Sequence, residues 1–368
     1  MTFIHEQPDW PAFRWDATAL SAPLAAARHQ QGRFLGSIEA LQRPRQSEAA
    51  VEAMTSELVR SWAIEGETLD ETEVRSSLAR RLGVEEGGLP SANREVDGLV
   101  EMMLEVAHNT DAPLKADRLH AWHGALFPTG RSGLQRIEVA ARRRPEMDPM
   151  QVISGRIGHE LVHFEAPSAA CVPHEMIAFL EWFESTQAGE TDPVLRAGLA
   201  HLWFLTIHPY EDGNGRIGRA IADLALARAD RTTERFYSLS AQIESERSAY
   251  YDALESAQRG DLDATEWLWF LGCFERAIER AEDTVAKVRR TAELWSRAAA
   301  HSLNDRQRTL LNLLLGDFKG KITSSKAAKL TGVSSDTALR DLTGLVNAGL
   351  LASGPAGGRS TSYHLAST

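Results

Sequence analysis

The sequence predicts a mainly α fold: a large helical body with one β-hairpin, followed by a smaller C-terminal module. Three observations carry this reading. Apolar residues recur at helical spacing in one stretch after another of the 368-residue chain. Within the body only MQVISGRIGHELVHF, two β-branched runs around Ser154–Gly158, reads as a hairpin; near the C-terminus the glycine-rich stretch ending at Leu365 reads as a wing between two short strands. The charge is uneven: from residue 305 onward eight Lys and Arg face four Asp, a surplus of four, which leaves −15 on the first 304 residues of a chain at −11 overall.

The elements follow in order. ATALSAPLAAARHQQGRFLGSIEAL (17–41) reads as a helix, and a second is expected around 47–62, entering SWAIEGETLD. Helical patterns recur near 96–109, 115–126, 173–188, 193–206, 215–229, 244–258, 264–294 and 305–316. The long pattern at 264–294 leads towards the C-terminal module. There, three helical segments (DRQRTLLNLLL, SSKAAKLTG and SSDTALRDLTGLVNAGLL) precede a glycine-rich stretch ending in Tyr363-His364-Leu365. Gly332 supplies a turn, and Ser334 or Ser335 an N-cap. The expected segmentation is a helical region at 1–110, a central domain at 111–295 and the C-terminal module at 296–368.

Composition narrows the function classes. At 43% hydrophobic and 25% charged the chain is ordinary globular protein. No apolar run approaches a membrane span, and the start, MTFIHEQPDW, has no signal-peptide pattern. Two cysteines, Cys171 and Cys273, give no disulfide framework. The cytoplasm is the simplest compartment. The negative total argues against a chain that coats nucleic acid as a whole.

One stretch stands apart: IHPYEDGNGRIGR, from Ile207 to Arg219, between two good helical patterns. Pro209 ends the first helix just after His208. Asp212-Gly213-Asn214-Gly215 is a turn cluster, and Arg216 resumes the helix. Glycines at a helix start let backbone N–H groups converge, and the helix dipole adds positive potential, so the turn is a candidate anion hole. Asn214 is a candidate N-cap or anion donor. Arg216 and Arg219, three apart, share a face and suit more than one phosphate. Asp212 beside them suits Mg²⁺ bridging phosphate oxygens. His208 is a candidate general base. Together these residues predict a nucleotide polyphosphate, Mg²⁺, and a histidine that deprotonates a substrate.

A competing motif lies in the hairpin. His159-Glu160-Leu161-Val162-His163 matches H-E-x-x-H, the zinc-protease pattern. That pattern needs a helix. On a strand, residues four apart are roughly 13 Å apart, too far to share one zinc. The flanks read as extended, so the strand reading is expected to hold.

HPYEDGNGRIGR resembles the Fic motif, HPFxDGNGRxxR, with Tyr210 in place of the usual Phe. Likeness extends to the G-x-x-R of Gly133–Arg136, the flap-like MQVISG and the YYDALESAQRGDLDATEWLWFL stretch. The resemblance implies a Fic-type helical core and AMP transfer from ATP to a Ser, Thr or Tyr hydroxyl of a target protein. It implies His208 as base and Asp212 as the Mg²⁺ ligand. Gly213, Asn214 and Gly215 would lie at the α-phosphate, Arg216 at the β-phosphate and Arg219 at the γ-phosphate. Tyr251 and Gln258 would face the adenine. Val152 or Ile153, on the hairpin as a flap, would clamp the target side chain.

SWAIEGETLD adds Ser61-x-x-x-Glu65-Gly66, which resembles the Fic inhibitory motif. A helix-borne carboxylate paired with Arg219 would take the place of the γ-phosphate's partner, and Ser61 would hydrogen-bond Glu65 or the anion-hole loop. The same Glu65 opens a second chemistry, removal of AMP from modified protein by an aligned water. The C-terminal module resembles a winged helix-turn-helix, with Ser335, Thr337 and Arg340 on its recognition helix and Arg359 on its wing. DNA, a protein contact and a homodimer are all open as its partner. A nucleotide-sensing DNA-binding regulator is the alternative to an enzyme, and no membrane partner is expected.

Overall fold

A computed structural model of the chain describes residues 2–84, 92–156, 159–185, 191–315, 321–354 and 361–366. It divides into two compact units, Met1–Glu282 and Asp283–Thr368. The expected segment 1–110 thus lies in the first unit with the expected segment 111–295 as far as Glu282, and the division falls before the expected boundary at 295.

The first unit begins with α1 (Ala17–Glu39), α2 (Arg43–Ile64), α3 (Glu71–Arg81), α4 (Arg94–His108) and α5 (Ala116–Leu126). A small pair follows, β1 (Arg131–Ser132) with β2 (Gln135–Arg136), and then the hairpin β3 (Gln151–Arg156) with β4 (His159–Glu165). The rest is helical: α6 (Val172–Glu184), α7 (Pro193–Ile207), α8 (Asn214–Asp230), α9 (Leu239–Ser245), α10 (Arg247–Arg259) and α11 (Trp269–Ala298), which runs on into the second unit.

Local chemistry explains several boundaries. Asp16, Asp70 and Asp192 cap α1, α3 and α7 by accepting from first-turn N–H groups. Pro193 starts α7, where its missing N–H costs nothing. From Ala197 to Ile207, α7 is buried on every side, as an all-round apolar pattern requires. It packs along α8, and Phe204 beside Tyr210 is part of the core under the site. α3 was not expected. ETEVRSSLARR buries only Val74 and Leu78 among large apolar residues, too few for a clear period. Its cap, Asp70 followed three residues later by Glu73, was readable.

β3 and β4 pair antiparallel, with Val152 opposite Phe164 and a register shift before Ile153. α10 holds β4: Arg259 donates to the carbonyls of Val162 and His163 at 2.8 and 3.1 Å, and Glu255 meets His163 Nδ1 at 2.5 Å. HELVH therefore lies on a strand. Its two histidines lie four apart on an extended backbone, and His163 meets Glu255. The helical zinc-protease geometry does not exist here, and among the described residues no group of three His, Cys, Asp or Glu gathers to hold a metal. Likewise no described helix is long and apolar enough to cross a membrane.

The second unit holds α12 (Asp305–Leu315), α13 (Ser324–Thr331), α14 (Ser335–Asn347) and the antiparallel pair β5 (Leu351–Ser353) with β6 (Tyr363–Leu365). Leu310, Ala327, Leu342, Leu345, Leu351 and Tyr363 build its own core. Gly332, at φ +67°, ends α13, and Ser334 rather than Ser335 caps α14 by accepting from Thr337 N. Arg359 lies outside the described residues.

Candidate active site

The chain leaves α7 at His208, whose backbone is left-handed (φ +51°, ψ 57°). A side chain there costs about 1–2 kcal/mol of backbone strain, so the surroundings must hold it. They do so from two sides. His208 N donates to Phe204 O at 3.0 Å, closing α7. Arg143, 3% exposed, donates through Nε to His208 O at 2.9 Å and through its backbone N to Pro209 O at 2.9 Å. The same guanidinium pairs with Asp148 at 2.5 Å and donates to Pro167 O. A buried cation thus ties the histidine turn to the segment entering the hairpin. Arg143 belongs to the run Arg142-Arg143-Arg144, which in sequence looks like a solvated patch; only the burial of its middle member distinguishes it.

His208 Nδ1 lies 3.3 Å from Leu205 O. A carbonyl only accepts, so Nδ1 carries the proton and Nε2 keeps a free lone pair. Burial pushes the imidazole down to about 4, with only a partial lift from that carbonyl. The ring is neutral near pH 7 and fit to accept a proton.

Tyr210 fills the space beneath. It is 1% exposed, stacks on His123 at 4.3 Å and reaches His120 Nδ1 with its hydroxyl at 3.2 Å. Tyr is thus accommodated at that position because its polar end has a partner. His123 Nδ1 accepts from Ala140 N, so Nε2 donates to Asp212 O at 3.2 Å, which fixes the back of the turn.

Gly213 is the N-cap of α8, at φ +80°. The expectation that Asn214 caps the helix needs correction, since it is the first helical residue after Gly213. Its Oδ1 accepts from Tyr210 N at 3.0 Å and its Nδ2 donates to Tyr210 O at 2.9 Å. Asn214 thus braces the turn with one of its two amide hydrogens. No side chain caps α8, so its first N–H groups remain available to an anion.

A carboxylate lies over that first turn. Glu65, the last residue out of α2, accepts from Arg219 Nη2 at 2.8 Å. A Cβ placed on Gly215 would collide with Glu65 Oε1, so only glycine admits the carboxylate this close. Arg219 is 2% exposed; its Nε donates to Ser61 Oγ at 2.9 Å and its Nη2 to Ser61 O at 2.8 Å. Ser61 therefore binds Arg219 itself, rather than Glu65 or the glycine loop as its spacing suggested. Burial works against the charge of Arg219, but Glu65 together with Tyr250 and Tyr251 more than offsets it and holds the guanidinium above its ordinary value.

Arg216, also buried, stacks between Trp62 and Phe127 at 5.1 and 4.9 Å and pairs with Glu67 at 2.9 Å. Asp212 lies 3.8 Å from it. One Asp212 oxygen accepts from Gly213 N at 2.5 Å and the other from Ser132 Oγ on β1. A single half-exposed carboxylate beside an anion seat does not make an all-protein cage. It fits Mg²⁺, which keeps water and takes the rest of its oxygens from phosphate. Ser132 and Arg143 carry no motif of their own in the sequence; their roles arise only from tertiary approach.

The remaining predicted residues are more scattered. Tyr251 is 38% exposed, its ring 5.1 Å from that of Tyr250 and under Arg247. Gln258 is buried and donates to Thr206 Oγ1 at 3.3 Å. Val152 and Ile153 are exposed on β3, at 39% and 54%.

Comparisons with known proteins agree with this geometry. Residues 113–226 match the Fic/DOC family, and residues 3–84 match a domain of unknown function (DUF4172). A protein adenylyltransferase Fic of Aedes aegypti is 28% identical over 235 residues, 63% of this chain and 42% of that protein. A protein adenylyltransferase fic-1 of Caenorhabditis elegans is 30% identical over 129 residues, 34% of this chain and 24% of that one. The matches thus span less than half the length of these relatives. Among solved structures, a Fic family protein from Desulfovibrio desulfuricans aligns with TM-score 0.55 at 22% identity, covering 96% of this chain and 98% of that one. A Fic domain containing signaling protein from Bacteroides thetaiotaomicron aligns with TM-score 0.53 at 20% identity, covering 71% and 96%. At such identities the likeness is one of fold. Family match, shared fold and the turn from His208 to Arg219 coincide on one segment: the chain carries a Fic/DOC family domain at residues 113–226.

Proposed function

We propose that this protein transfers AMP from ATP to a hydroxyl of a protein, and that Glu65 restrains the reaction. One observation supports the reading above the others: a carboxylate rests against the uncapped first turn of α8, on Arg219, beside a neutral histidine. An anion seat with a general base at its mouth is the arrangement that phosphate chemistry on a hydroxyl needs.

The step balances simply. His208 Nε2 takes the proton of the acceptor hydroxyl. The oxygen forms a bond to the α-phosphorus, the α–β bridging P–O bond breaks, and pyrophosphate leaves. The N–H groups from Asn214 to Arg216 stabilise the negative charge that builds on the α-phosphate oxygens. Arg216 and Arg219 take the charge of the leaving pyrophosphate. Asp212, oriented by Ser132, would hold Mg²⁺, which when bound neutralises phosphate charge. The carboxylate of Glu65 stands against this: ATP must compete with it for Arg219 and for the space over Gly215. The names of the curated relatives, protein adenylyltransferase, favour the same chemistry.

The test uses ATP labelled at the α-phosphate, with Mg²⁺ and a lysate as acceptor source. Glu65→Gly is expected to label protein, itself included, at least about tenfold above wild type, the factor set by one strong ion-pair competitor. Adding His208→Ala should remove the label. Equal labelling of wild type and Glu65→Gly would show that Glu65 is no brake, and label that survives His208→Ala would remove the base.

A further inference from the structure

The site holds a second carboxylate–arginine pair that the restraint by Glu65 does not explain. Glu67 Oε2 accepts from Arg216 Nη1 at 2.9 Å. Arg216 is 4% exposed, fixed between the Trp62 and Phe127 rings, and its Nε is buried without a partner. Its accessible nitrogens thus face Glu67 and, at 3.8 Å, Asp212.

The backbone explains how two glutamates so close in sequence reach two arginines on one helix face. Within a helix, residues two apart point to nearly opposite sides. Here α2 ends at Ile64 with Glu65 as its C-cap, and Gly66 takes φ +81°. Glu67 N then returns to Trp62 O at 3.1 Å, the backward bond of a glycine-terminated helix. This reversal sends Glu67 back towards α8. Glu65 takes Arg219 and Glu67 takes Arg216, so both cationic groups of the anion seat are engaged by one short segment.

We infer that Glu67 is a second restraint, acting on Arg216 and so on the β-phosphate, independently of Glu65 on Arg219. This rests on the reading of the anion seat as a nucleotide site. Glu67 is the more open of the two, since the Glu65 side chain is 30% exposed. That of Glu67 is 44% exposed, and it lines a cavity of about 470 Å³ with Asp70, Phe127, Ser132 and Arg216. The carboxylate therefore has water and space to turn into when a diphosphate claims Arg216. Glu65, by contrast, lies directly over Gly215. The two glutamates would thus set different quantities: Glu65 opposes the third phosphate, and Glu67 weakens the hold on any nucleotide with two or more.

Titration calorimetry of Glu67→Gln against wild type, with AMP and ADP in Mg²⁺, separates the two effects without any turnover. ADP has a β-phosphate but no γ-phosphate, and AMP has neither. Glu67→Gln is expected to bind ADP about fivefold more tightly, the factor an exposed ion pair commands, and AMP unchanged. In an Arg216→Ala background the same substitution should do nothing. Unchanged ADP affinity, or equal tightening for AMP, overturns the inference; thermal unfolding of each variant confirms that its fold is intact. The outcome is distinct from that of the transfer assay. If Glu65→Gly binds ADP but labels no protein, AMP transfer fails while the role of Glu67 is still read from affinity.

Discussion

His208 owes its chemistry to its surroundings more than to its own structure. A left-handed backbone aims the ring, Arg143 holds the carbonyl, and Leu205 O fixes the tautomer. The sequence shows a histidine before a proline, which is enough to nominate it. It does not show Arg143, because a three-arginine run normally faces water and its burial depends on Asp148 and the turn folding together. Nor does it show that Asn214 braces Tyr210, since the spacing suggested a cap or an anion donor. The pH dependence follows from the same environment. Burial holds the folded histidine at about 4, below the ordinary value near 6.5, so the neutral form persists as pH falls towards 5 and is lost only below that. Labelling by Glu65→Gly should therefore change by less than about twofold between roughly pH 6 and 8 on account of this group. A rate profile with a midpoint near 6.5 would mean a solvated, unshifted histidine.

At the scale of elements, the decisive feature is the tight α7–α8 turn. Its punctuation was legible: a proline after His208, then glycines before Arg216, mark where one helix ends and the next begins. Gly213 is required by conformation as well as by space. At φ +80° its Cβ would stand 2.8 Å from Phe127 Cε2. Gly213→Ala is thus expected to cost on the order of 2–3 kcal/mol, from left-handed strain plus the clash. It should lower Tm and abolish labelling in the Glu65→Gly background; unchanged Tm and labelling would show that the turn yields. The hairpin was legible through its β-branched runs, and its strand geometry settles HELVH. α3 was not, because a helix held by a cap and two apolar residues leaves a faint period. The exit from α2 carried its signal in Gly66, but what the exit delivers, Glu65 to Arg219 and Glu67 to Arg216, is a tertiary fact.

At the scale of the molecule, the N-terminal helices and the Fic/DOC domain share one compact unit. The ion pair between Glu65, at the end of α2, and Arg219 on α8 spans 154 residues of sequence. Such a contact follows from packing α2 against α8 and α9, and a single sequence suggests it only through the resemblance of Ser61–Gly66 to a known motif. The second unit has its own core, and the order of its elements was foreseen from helix caps and the glycine at 332. The central claim is that the seat over Gly215 belongs to phosphate and that transfer breaks the bond beyond the α-phosphorus. The most direct measurement gives Glu65→Gly ATP labelled at the α-phosphate in one tube and at the γ-phosphate in another, with Mg²⁺, and reads the label left on denatured protein. AMP transfer predicts retained α-label and no γ-label. Retained γ-label would mean phosphoryl transfer instead, and would contradict the assignment.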